Sequence, residues 1–147
     1  LTVQRSPGSN EIDLTGLSIQ HVGDNGFAQL VHGTSATADG SAGYLVQVIT
    51  AESSQDAVIT DDGDRYEIVI PYNQQYVDGS TGSGVATDVV ATNTGTQVDY
   101  SNTGLGDLSA GQRVELEITT DSGSTRNVVL TAPDTLVGQD AGDTVTL

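Results

Sequence analysis

Residues 113–133 read RVELEITTDSGSTRNVVLTAP, and their spacing decides what kind of fold this chain can adopt. Val114, Leu116 and Ile118 fall on one side of an alternation, with Arg113, Glu115, Glu117 and Thr119 on the other. Neighbouring side chains of a β-strand point to opposite faces, so a period of two marks a strand buried on one face only. The DSGS at 121–124 supplies the small and polar residues of a turn, and TRNVVLTAP leads the chain back. An isolated hairpin is marginal in water, so this one requires further strands.

The rest of the chain supplies them. Leu17, Ile19 and His21 alternate with Ser18, Gln20 and Val22 before the turn Gly23-Asp24-Asn25-Gly26. Phe27, Gln29 and Val31 then alternate with Ala28, Leu30 and His32. The stretch GYLVQVIT (43–50) is apolar on both faces and reads as a central strand. AVIT leads into RYEIVIP across a DDGD turn, with Tyr66, Ile68 and Ile70 facing one way and Glu67 and Val69 the other. DTVTL (143–147) reads as a last short strand. No helical period of any length appears, and short strands joined by Gly- and Asp-rich turns predict an all-β fold, an antiparallel immunoglobulin-like β-sandwich. Length predicts a single domain over residues 1–147. Within it the Gly/Ser/Thr/Asn-rich 73–104 is expected to be weakly structured surface with one or two edge strands.

Charge sets the setting. The formal net charge is −16, from 20 acidic and 4 basic residues; lysine is absent, and aspartate outnumbers glutamate 15 to 5. Such a field repels nucleic acid and anionic membranes and draws in cations. The carboxylates stand singly among apolar alternations, which argues against an acidic disordered tail. Self-repulsion of this size is tolerable where salt screens it, the Debye length falling to about 3 Å at 1 M. A protein of a salt-loving organism is expected. No apolar run reaches the roughly 20 residues of a membrane helix. The sequence opens at Leu1 without a basic leader, so no signal peptide is expected in it; an excised domain and a processed product would both begin this way.

The search for chemistry is short. Cysteine is absent, which removes disulfides, thiolate metal sites and cysteine nucleophiles. TDDGDRYEIVIP (60–71) gathers Asp61, Asp62 and Asp64 around one glycine. A calcium loop of the EF-hand type needs glycine at its sixth position and a bidentate glutamate at its twelfth. Counted from Asp62, glycine falls second and Glu67 sixth, so the stretch reads as a hairpin turn that associates at most loosely with inorganic cations. His21 and His32 are the only histidines. With Asp24-Asn25 as the turn, residue 21 lies opposite 28 and residue 32 near 17, too far apart along the ladder to share a metal. GSTGSG (79–84) misses the spacing of a nucleophile elbow, and carboxylate pairs such as Asp61/Asp62 lack the aromatic cleft a glycoside hydrolase requires. No Asn-x-Ser/Thr acceptor occurs. No catalytic, cofactor-binding or metal-ligating residue is therefore expected, nor any cofactor or enzymatic activity.

Two segments together resemble a family. LTVQRSPGSNEIDLTGLSIQHVG at the start and LSAGQRVELEITTDSGSTRNVVLTAPDTL with the closing DTVTL are similar to the outer domain of haloarchaeal archaellins, the archaeal flagellins. YEIVIPY between them also fits, whereas 73–104 contributes nothing. RSPGSNEIDL is the most specific piece. The resemblance implies an immunoglobulin-like domain on the outside of a filament whose core is a long apolar N-terminal helix. The sequence begins where that outer domain would, and the helix is expected to lie outside it. The resemblance implies an extracellular structural subunit of the archaellum, with other archaellin subunits as partners. A cell-surface or S-layer-associated binding module, including a minor archaellum stator component, is the alternative.

Overall fold

In the computed structural model the described residues are 1–24, 26–32, 42–52, 56–70, 72, 75–78, 89–90, 97–99, 105 and 108–134. In chain order the strands are β1 (Thr2–Val3), β2 (Ile12–Asp13), β3 (Ser18–Gly23), β4 (Gly26–His32), β5 (Ala42–Thr50) and β6 (Val58–Ile59). There follow β7 (Arg65–Val69), β8 (Gln75–Asp78), β9 (Val89–Val90), β10 (Gln97–Asp99), β11 (Arg113–Thr119) and β12 (Thr125–Thr131). Among the described residues there is no helix.

The hairpin at 113–133 forms as its alternation predicts. Val114 pairs with Leu130 and Leu116 with Val128 on the inner face, while Glu115 pairs with Val129 on the outer. Gly123 sits at φ 83°, a conformation that side-chain-bearing residues avoid, and its amide donates to Thr120 O at 2.8 Å to close the turn. β11 also pairs with β3, which pairs with β4 through Ile19↔Leu30 and His21↔Ala28. Gly23 stands opposite Gly26.

Seven strands make one sheet in the order β1-β7-β5-β4-β3-β11-β12. Every junction is antiparallel except β4–β5, where Leu30, Val31 and His32 pair in parallel with Ala42, Gly43 and Tyr44. The sheet curls so that its two halves share one core. Ile19, Leu30, Val114 and Leu116 from one half pack with Tyr44, Val46, Tyr66 and Ile68 from the other. The two halves thus act as the two layers of the expected all-β architecture. A two-stranded pair, β2–β6, adds Ile59 to the core beside Leu14 and Ala57. The Tyr44 hydroxyl donates to Leu14 O at 2.8 Å and Leu17 O at 3.1 Å, tying β5 to the segment between β2 and β3.

Two readings need comment. The turn at 61–64 exists, but the hairpin does not: β6 pairs with β2, and β7 pairs with β1 and β5. The chain changes sheets at this corner. Within 73–104, strands β8, β9 and β10 form a separate sheet in the order β10-β8-β9. The strand expected at 143–147 lies outside the described residues, as does the 79–84 stretch.

Candidate functional site

The three aspartates of the corner are used separately. Asp64 is 3% exposed, and its Oδ2 accepts from the amides of Thr60 and Asp61, each at 2.9 Å, and from Thr60 Oγ1 at 3.2 Å. The Asp61 amide, seconded by those of Thr60 and Glu52, holds this carboxyl below the usual range against the opposing cost of burial. Asp62 turns outward to Arg5, whose Nη2 and Nε donate to its Oδ1 at 2.7 and 3.2 Å. Asp61 is exposed, and its carbonyl accepts from the Asp64 amide at 3.1 Å. Among the described residues, no three carboxylates or imidazoles are grouped to hold a metal ion.

The histidines meet different tyrosines. The His21 ring is buried and its Nε2 lies 2.8 Å from the Tyr72 hydroxyl, the rings edge to face at 5.6 Å. Among the described residues His21 Nδ1 has no hydrogen-bond partner. Burial pushes this imidazole below its ordinary pKa, a contact with its own backbone partly opposing. A Cβ on Gly23 would come within 3.1 Å of the ring, so the absence of a side chain there makes room for it. His32 stands opposite Tyr44 across the parallel junction, ring centroids 5.6 Å apart.

What the sequence reading left unremarked is a surface. Register places Phe27, Val22, Glu115 and Val129 in one row across the outer face of β4, β3, β11 and β12. Phe27 is 64% exposed, Val129 51% and Val22 47%. Glu115 interrupts the row and is bound by Arg113 at 3.1 Å. A shallow groove along it is lined by Gln20, Val22, Glu115, Glu117, Asn127 and Val129, among others. The signal was present in the alternation: positions 22 and 129 face out, where soluble strands carry polar residues.

The most distinctive feature of the described residues is a half-sheet with an apolar row facing water. Comparison with known proteins gives the context. The chain is 31% identical over 150 aligned positions to flagellin A2 of Haloferax volcanii, a match spanning 100% of this chain. The chain resembles the haloarchaeal archaellins along its whole length. Flagellin A1 of the same organism is 28% identical, again across 100% of the chain. The sequence described here spans 64% and 62% of these two relatives' lengths. In fold it is similar to the crystal structure of archaeal flagellin FlaB1 from Methanocaldococcus jannaschii, with a TM-score of 0.53 at 13% identity. That likeness covers 91% of this chain and 77% of the other. No protein-family model matches.

Proposed function

We propose that this chain is the outer, solvent-facing β-domain of a filament subunit of the archaellum, lying outside the cell and supporting swimming in brine. The observation that carries this reading is the match to flagellin A2, which runs the full length of the chain instead of stopping at one motif. The role is structural, not catalytic. Its partners are other archaellin subunits, and inorganic cations gather loosely around the acidic surface. Residues 1–147 act as one domain, with 73–104 contributing surface. Aspartate-rich faces hold water while salt screens their mutual repulsion, as an exterior domain in brine requires.

The test is complementation. The complete gene carrying this sequence is expressed in a haloarchaeon whose own archaellin genes are deleted. Regular filaments in electron micrographs and restored spreading in soft agar are expected. A stably expressed, correctly processed product that yields no filaments overturns the reading.

A further inference from the structure

Charge is distributed very unevenly in this molecule. β3 (SIQHVG) and β4 (GFAQLVH) contain no acidic or basic residue besides histidine. β11 carries Arg113, Glu115 and Glu117, and β12 carries Arg126. Register sets Arg126 beside the inward Ile118, so the outer face of this half-sheet, with Arg113, Glu115 and Glu117, carries one net negative charge in a chain whose net charge is −16. On its outer face the one carboxylate within the apolar row, Glu115, is neutralised by Arg113. Beside the row lie the amides of Gln29, Gln20 and Asn127, with Glu117 between the last two. An apolar centre depleted of charge, with a polar border, is the composition of an interface core and its rim.

We propose that the outer face of β4, β3, β11 and β12 docks against a second copy of this chain. Two copies repel over most of their surfaces. Even where the Debye length is about 3 Å, charges brought into contact still feel one another, so a face with little net charge is where like-charged copies approach at least cost. Area decides the kind of contact. Three partly exposed apolar side chains cover about 300 Å2 per copy at most, against the roughly 800 Å2 that each partner of a standard interface buries. The face is therefore too small for a stable dimer in solution, and suits neighbours already held side by side, where effective concentration replaces affinity. The proposal rests on the filament reading, which supplies those neighbours. The groove along β3, β11 and β12 gives the opposing copy a recess beside Val129.

The absence of cysteine makes a clean test available. F27C and V129C are placed in the full gene product, with I49C as a control on β5 in the other half of the sheet, where Ile49 is 52% exposed. Maleimide labelling is timed in intact filaments and in dissociated subunits. Residues 27 and 129 should label at least about tenfold more slowly in filaments, as expected of water-excluded contacts, with residue 49 changing less than about twofold. Equal rates in both states at 27 and 129, or equal slowing at 49, overturn the docking face while leaving the filament reading intact. Absence of filaments from the unmodified gene overturns both. A second route is V129D: lost filaments with a native circular dichroism spectrum support the face, provided I49D still assembles. Filaments from V129D as regular as the wild type's overturn it.

Discussion

Replacing Asp64 by alanine would leave the amides of Thr60 and Asp61 without their shared acceptor at a buried corner. Hydrogen bonds to a charged group contribute about 1.5–3 kcal/mol each net, and stranded donors cost more, so D64A should lower stability by about 2–4 kcal/mol in urea unfolding. D62A removes only the half-exposed pair with Arg5 and should cost under about 1 kcal/mol. A loss in D62A equal to that in D64A would mean that the corner is held from outside. On the acid limb both Asp64 and His21 cost stability as pH falls, in different pH windows. Asp64 has a depressed folded pKa, so its contribution is full above the ordinary carboxylate range and is lost as pH falls through the folded value. His21 is also depressed, but it is a base: the fold prefers it neutral. Its contribution is full above about 6.5 and declines as pH falls from there toward the folded value, because the unfolded chain takes up the proton first. In molar salt, H21Q should flatten the decline of the melting temperature just below neutrality and leave the lower, carboxylate limb in place. An unchanged profile would remove His21 from the account. Asp61, Asp62 and Asp64 looked alike in sequence because a turn accommodates aspartate anywhere; only the change of sheet at the corner makes one carboxylate internal and the others external.

Strand faces were legible from alternation, and strand partners only where a short turn fixed them. The turn expected from the sequence at 23–26 gave the β3–β4 register, including His21↔Ala28, because a tight turn leaves no freedom to slip. The corner at 61–64 gave no such information. β6 finds β2 through Ile12↔Ile59, a partner far upstream, and period-two patterning says which side is buried without saying against whom. The parallel β4–β5 junction was hidden for the same reason. β5 was recognisable as central because both of its faces are apolar, which is silent on direction. What ties this junction to its surroundings is testable. The Tyr44 hydroxyl holds two carbonyls, Leu14 O and Leu17 O, within the core. Y44F keeps the ring and removes the donor, and should cost about 1–2 kcal/mol without altering the denaturant slope. A wild-type midpoint in Y44F would show that those carbonyls find another donor.

At the scale of the whole molecule the uneven charge governs stability. Compaction brings the surplus carboxylates together, so screening favours the folded state more than the expanded one. The unfolding midpoint should climb steadily from low to molar sodium chloride, and a flat dependence would contradict the halophile reading. The isolated 147-residue domain should stay monomeric, or associate only weakly, by light scattering in molar salt, since its weakly charged half-sheet is small. The buried tyrosines also give this protein an optical property. There is no tryptophan, so near-ultraviolet absorption is dominated by phenol rings. Burial pushes Tyr66 and Tyr72 up to about 12, and pushes Tyr44 up as well. A phenol that the fold holds neutral contributes stability that is complete below about pH 10 and is lost as pH rises toward the folded value. In a base titration, phenolate colour from these three rings and the loss of the β-sheet dichroism should therefore rise as a single step. The chromophore that reports the transition is then also the group whose ionisation drives it.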